Sequence, residues 1–324
     1  MSIAPAVVPP GAEAAEWIPD GPYNLAATIG TLQCGTHDPS FLVQGPDSWL
    51  AFRTVDGPVT LCLRQRGSLN SSRIQANAWG PGAARALASF PRLLGADDDW
   101  SAFDCAEFRA TLPDLARKGR YLNPGLRLPA SGRMLDTVAR AILEQKVTGI
   151  EAKRAWRYLL ARYGDPAPGA GDVAPAALRL PPTAEQWRRV PSWDWHKAGV
   201  DAKRSTTILK AALVATGLER LASLPGGDAV RAGLRSVPGI GVWTVAEVVQ
   251  RTHGCPDSIS VGDYHLAAYV GAALTGRRTD DAGMIELLAP WQGQRQRVVR
   301  SLYSSGFRKP TFGPRLSPED HRRR

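Results

Sequence analysis

The stretch of this chain with the most chemical potential is Ala229 to His253, AVRAGLRSVPGIGVWTVAEVVQRTH. Two apolar-periodic segments flank Pro238-Gly239-Ile240-Gly241, a turn too short for anything but a hairpin between helices. Glycines permit unusual backbone angles and leave a turn without side-chain cover. Bare amide N–H groups at the start of a helix are a natural seat for a phosphate. Such a seat grips a nucleic-acid backbone without reading its sequence. Val237 and Ile240 are the apolar residues expected to fix the turn between its helices. By itself the turn leaves two readings open, phosphate clamp and plain helix connector.

Asp263 lies 22 positions beyond Gly241, in Ser260-Val-Gly-Asp-Tyr-His-Leu266. It directly precedes an apolar-periodic helix expected over Tyr264–Leu274. Aspartate is a favoured helix N-cap. A fixed carboxylate can also serve as a general base or stabilise positive charge that develops during a reaction. On the residues alone the cap is the plainer role, and both readings stand at this point.

The elements that must hold these residues change character along the chain. Residues 1–20 read as a flexible leader, and 21–96 as an α+β unit built on an antiparallel sheet. Its strands are expected at Tyr23–Gln33, Trp49–Thr54, Val59–Arg66 and Ile74–Trp79, with turns at Gly45-Pro46-Asp47 and Asp56-Gly57-Pro58. A helix follows near Pro81. Residues 97–310 read as helical, with the hairpin at 229–253 and the Asp263 loop at 257–264, and 311–324 as a basic tail. Met134, Val138 and Ile142 share one helical face, and a second helix is expected over Ile150–Tyr163. Asp165–Pro182 is Pro/Gly/Ala-rich and reads as a long surface loop; Thr183-Ala-Glu-Gln186 has capping-box form.

Charge narrows the function classes. The net charge of +10 comes from 40 Lys and Arg against 30 Asp and Glu. The excess sits in residues 127–162, 188–210 and 295–324, the pattern expected of a partner that is a polyanion. No run approaches the ~18 apolar residues of a membrane span, and the N-terminus lacks a signal peptide's charged start, so a cytoplasmic protein without membrane contact is expected. Cys34, Cys62, Cys105 and Cys255 have neither zinc-site nor iron–sulfur spacing and read as buried free thiols.

On these residues the chain resembles the alkylation-repair DNA glycosylases, the 3-methyladenine DNA glycosylase II type of the helix-hairpin-helix superfamily. The resemblance covers nearly everything after the leader. It rests on Pro124-Gly-Leu-Arg-Leu-Pro129, Ala141-Ile-Leu-Glu-Gln-Lys-Val-Thr148, the hairpin Leu234–Thr244, the loop Gly262-Asp263-Tyr264 and Pro290-Trp291. It implies an α+β fold, with a TATA-binding-protein-like sheet domain before a two-lobed helical core and the active cleft between the lobes. It implies excision of alkylated purines from duplex DNA by base flipping and water-mediated hydrolysis, with Asp263 as catalytic residue. Trp243, Trp291, Tyr264 and Glu247 are the implied base-pocket positions. Gly239, Ile240, Gly241, Thr244, Gln145 and Lys146 are the implied DNA contacts.

Relatives that also cut the strand carry a Schiff-base lysine where this chain has Trp243, so no lyase step is expected. No metal or cofactor is implied beyond a monovalent cation on the hairpin carbonyls. A monomer bound to damaged duplex is the expected assembly. Two departures stand out: Lys146 replaces the usual apolar wedge, and Glu247, expected to face solvent, replaces a pocket aromatic. They leave room for a non-catalytic damaged-DNA binder, or for a glycosylase of deaminated or bulky purines.

Overall fold

In the computed structural model, residues 11–309 are described. The expected basic tail at 311–324 lies outside them, as does the first half of the expected leader. The chain opens with a five-stranded antiparallel sheet: β1 (Glu13–Trp17), β2 (Phe41–Gln44), β3 (Asp47–Thr54), β4 (Gly57–Arg66) and β5 (Arg73–Trp79). The strand order is β1-β5-β4-β3-β2. The Asp56-Gly57 turn sets the central register, with Leu50 opposite Leu61 and Leu61 opposite Ala78. Alternation then sends Leu50, Phe52, Leu61, Leu63 and Ile74 to one face, where helix Ala83–Leu93 covers them through Ala86 and Phe90.

Three expectations are corrected here. Residues 13–17, assigned to the leader, form an edge strand paired with β5, and Trp17 packs on the sheet core. A Pro/Ala-rich setting hides so short a strand. Tyr23–Gln33 is not a strand: Leu25–Ile29 is a helix capped by the Asn24 side chain, which accepts from Ala27 N at 3.0 Å. Leu25, Thr28 and Ile29 are the buried positions, which is helical spacing. The segment Asp165–Pro182 lacks regular structure but is no surface loop. Ala167, Ala174, Leu178 and Leu180 are buried against Ala51 on the second face of the sheet.

The helices divide into two clusters. One gathers Met134–Leu143, Gly149–Tyr163, Ala202–Leu213 and both hairpin helices around Leu143, Trp187, Ile208 and Val248. The other joins Trp100, Phe103 and Leu128 to Leu266, Val270, Met284, Trp291 and Val299, so the end of the chain folds back beside residues 100–128. The capping box at Thr183 forms as expected. Arginines bolt the parts together. Arg140 donates to the Leu32 carbonyl at 2.7 Å, and Arg133 lies over Phe52 at 4.9 Å. Part of the basic excess in 127–162 is therefore internal framework and not a surface for a polyanion. Cys34, Cys62 and Cys255 are buried, but Cys105 is exposed and its sulfur caps the following helical turn. No helix among the described residues is long and apolar enough to cross a membrane.

Candidate active site

The hairpin forms between helices Asp228–Arg235 and Val242–Thr252. Val230 and Leu234 bury the first helix, Val245, Val248 and Val249 the second, and Val237 and Ile240 plug the turn from below. Gly239 has φ 103°, and a Cβ there would lie 2.3 Å from Thr207 Oγ1, so only glycine fits. Gly241 differs: its backbone is extended at φ −95°, and a Cβ would meet nothing within 4 Å. Gly241 and Val242, which open the second helix, are exposed, and a helix start leaves its first amides without intrahelical partners.

Gln145 locks this turn to the end of helix Met134–Leu143, donating to Gly239 O at 3.1 Å and Thr244 Oγ1 at 2.8 Å. Thr244 is buried and engaged by Gln145, and the Ile240 side chain is buried as a plug. Both side chains are turned inward and brace the hairpin, which leaves its backbone as the part that faces outward. Lys146 is exposed with φ 54°, the one non-glycine residue of positive φ among the described residues. A left-handed lysine is strained backbone, retained where the surrounding chain forces it.

Asp263 sits where the two helical clusters meet. Its Oδ1 accepts from the amides of His265 and Leu266, both at 2.8 Å, which fixes the start of helix Leu266–Thr275. Its Oδ2 has one distant donor, the Trp243 indole N–H at 3.4 Å. The two oxygens thus differ: Oδ1 holds the turn into the helix, and Oδ2 is left without a short donor. Gly262, at φ 89°, turns the chain just before it.

A cavity of about 180 Å³ opens beside Asp263, walled by both helical clusters and by Thr31 of the sheet unit. Its wall is polar. Glu247 does not face solvent as expected: its side chain is 12% exposed and pairs with Arg251 at 2.7 Å, while Ser260 Oγ donates to its other oxygen. Burial alone would raise this carboxyl's pKa, but the Arg251 charge and the Ser260 hydrogen bond outweigh it and hold the group below the ordinary glutamate range. Gln250 donates to Ser258 O and Ser260 Oγ, and Gln296 donates to Gln250 Oε1 at 3.0 Å. Arg300 and Tyr303 complete the side opposite the hairpin helix.

The expected pocket aromatics do not line this cavity. Trp291 is buried in the second cluster, its indole donating to Thr111 at 3.1 Å, so it is a core residue. Tyr264 is 75% exposed and packs edge-on against His265. Trp243, half-buried, reaches Asp263 but is not part of the cavity wall. The sequence reading missed Gln250, Arg251, Gln296, Arg300 and Tyr303. The signal was present as polar residues one helical turn apart, 247/250/251 and 296/300/303, on otherwise apolar helices. A second, larger cavity lies beside Trp100 on the other side of Arg127, and its Asp98 and Asp104 are already paired with Arg297 and Arg120.

The antiparallel sheet followed by two helical clusters is an architecture shared with solved structures. The chain is similar over 90% of its length to the 3-methyladenine DNA glycosylase of Archaeoglobus fulgidus, with TM-score 0.71, 16% identity and 98% of that chain covered. It is similarly close to the Clostridium acetobutylicum 8-oxoguanine glycosylase/lyase, with TM-score 0.66, 10% identity, and 91% and 98% of the two chains covered. In sequence it matches a Mycobacterium tuberculosis protein described as a probable bifunctional transcriptional activator/DNA repair enzyme AlkA, at 29% identity over 224 residues. That match covers 68% of this chain and 42% of the relative, so the chain spans less than half the length of the curated relatives it matches. No family model matches the sequence. The α+β fold is therefore shared with these solved structures, and the resemblance to the alkylation-repair group is met in sequence by the AlkA relative.

Proposed function

We propose that this protein is a monofunctional DNA glycosylase that flips a damaged base out of duplex DNA and hydrolyses its N-glycosidic bond. The observation that carries the proposal is Asp263: one oxygen is pinned by two backbone amides and the other is left for the cavity. In this reading the hairpin amides after Gly241 hold a backbone phosphate, and the exposed Lys146 stands where the extruded base leaves a gap. The base enters the cavity beside Asp263, and the enzyme meets the cost of unstacking, smallest for a damaged pair.

As the glycosidic bond breaks, its electron pair leaves with the base and positive charge gathers on the sugar. Asp263 Oδ2 stabilises that charge, and water supplies the hydroxyl that ends on the sugar carbon while its proton passes to solvent or to the departing base. Trp243 occupies the position at which a Schiff-base lysine was expected in strand-cutting relatives, and no lysine is among the cavity-lining residues. Both support a reaction that stops at the abasic site. Alkylated bases are the substrate class that the sequence resemblance implies and that the A. fulgidus protein's name carries.

A monovalent cation on the hairpin carbonyls fits the donor set. Gly239 O takes one bond from Gln145 and keeps a second lone pair, and backbone oxygens suit a hard cation. It would hold the turn and has no part in the bond cleavage. One protein molecule per lesion suffices for this geometry. The test is base release: duplexes carrying single defined lesions, incubated with purified protein, should yield free base and an alkali-labile abasic site without prior strand scission. Strand cleavage before alkali would refute the monofunctional part, and absence of any free base would refute the whole.

A further inference from the structure

The cavity wall contains a cation with no partner. Arg300, on helix Arg295–Ser304, lines the cavity together with Asp263, and its Nε is buried without a hydrogen-bond acceptor. No ion pair or hydrogen bond engages this guanidinium among the described residues. The other two cavity arginines are occupied: Arg251 by Glu247 and the Thr31 carbonyl, Arg127 by the Asp20 carbonyl at 3.1 Å. Burial and the neighbouring Arg251 charge both push the Arg300 pKa below its ordinary value, the mark of a charge kept in the wrong company. An unpaired cation in such a place costs stability and is expected to be balanced by a ligand.

Resting on the glycosylase reading of this site, we propose that Arg300 selects the flipped base, donating to the acceptor edge of a neutral, carbonyl-bearing base such as a deaminated purine, and that the cavity disfavours cationic N-alkylpurines. A guanidinium fork matches the O6 and N7 acceptors of a 6-oxopurine. Methylation at N7 removes one of those acceptors and adds a positive charge. 3-Methyladenine presents an amino group, a donor facing donors. Of the two cavity carboxylates, Glu247 is consumed by Arg251 and Ser260, and Asp263 is the one set against the sugar in the proposed reaction. Tyr303, stacked on Tyr269 at 4.4 Å, is the aromatic residue lining the cavity, so the wall is furnished for hydrogen-bond readout more than for cation–π capture.

Single-turnover excision is compared on duplexes containing hypoxanthine, 7-methylguanine or 1,N6-ethenoadenine, with wild type, Arg300→Met and Arg300→Lys. Wild type should excise hypoxanthine over 7-methylguanine, and Arg300→Met should reduce that ratio by about 10- to 100-fold, the worth of one bidentate pair. Arg300→Lys keeps the charge without the fork and should fall between them. Free Arg300→Met should melt no lower than wild type, since it loses an unpaired charge and not a bond. Binding to a duplex with a tetrahydrofuran abasic analogue, which offers phosphates but no base, should match wild type. Preference of wild type for 7-methylguanine, or an unchanged ratio in Arg300→Met, overturns the proposal. Equal loss on the abasic duplex overturns it too, assigning Arg300 to a phosphate. Wild type that binds DNA yet releases no base overturns the glycosylase reading, and this inference with it.

Discussion

Asp263→Asn is the substitution that separates the two duties of this carboxylate. The asparagine carbonyl can take the place of Oδ1 and still accept from the His265 and Leu266 amides at 2.8 Å. The helix start should survive, and the melting temperature should stay within a degree or two. What disappears is the charge on Oδ2. A full charge about 4 Å from a developing unit positive charge contributes about 4 kcal/mol at an effective dielectric of about 20. At ~1.4 kcal/mol per factor of ten, that is a slowing of about three orders of magnitude. The assay is single-turnover release of base from a lesion-bearing duplex at saturating enzyme, with binding measured separately so that affinity does not mask chemistry. Asp263→Ala loses both duties: the same loss of rate plus about 1 kcal/mol of cap stability. Release by Asp263→Asn within about fivefold of wild type would refute the electrostatic argument. A large fall in its melting temperature would show that charge, and not merely an acceptor, holds the helix start.

Three further outcomes are expected. Gly241→Ala, whose Cβ would meet nothing within 4 Å, should fold as wild type yet weaken duplex binding, whereas Gly239→Ala, meeting Thr207 at 2.3 Å, should lower the melting temperature itself. Lys146→Gly should stabilise the protein by up to about 1 kcal/mol by relieving a left-handed side-chain residue, and still bind lesion duplex less well, as read by denaturant unfolding beside a binding titration. Glu247→Ala should cost about 3–5 kcal/mol in urea unfolding because it strands Arg251. The pH sign follows from the lowered Glu247 pKa. The folded protein binds this proton less readily than the unfolded chain, so the stabilisation is present above the ordinary value of 4.5 and lost as pH falls through the lowered one. Glu247→Gln should flatten that acid limb, and an unchanged acid limb would contradict the assignment.

Elements with a strong local pattern were legible in the sequence. β3, β4 and β5 alternate cleanly around a Gly-containing turn, and the hairpin and the Asp263 loop carry their geometry in a few adjacent residues. β1 was not legible, because five residues with two small apolar positions become a strand only when β5 offers an edge. Helix Leu25–Ile29 was misread because its apolar residues fit either period and the Asn24 cap decided between them. The cavity wall was the least legible part. It draws on residues near 31, 127, 247–251 and 296–303, and their convergence is a property of the folded clusters and not of any segment. Trp291 shows the converse: resemblance implies a pocket position, whereas its indole has a core partner in Thr111.

The cavity holds two carboxylates, and their hydrogen bonds set them apart. Glu247 has both oxygens spoken for, one by Arg251 and one by Ser260, so it cannot turn toward a developing charge without stranding a buried arginine. Asp263 has one oxygen spoken for, and the donors that hold it are backbone amides at a helix start, which do not move when the reaction begins. A group fixed before the chemistry incurs no reorganisation during it, which is where electrostatic catalysis gains most. In the proposed reaction the turn before helix Leu266–Thr275 is therefore part of the device: the His265 and Leu266 amides hold Oδ1, and Oδ2 keeps only the Trp243 indole at 3.4 Å. A carboxylate moved to Glu247's place, however close to the base, would be structural; one at Asp263's place is available because the helix beneath it needs only half of the side chain.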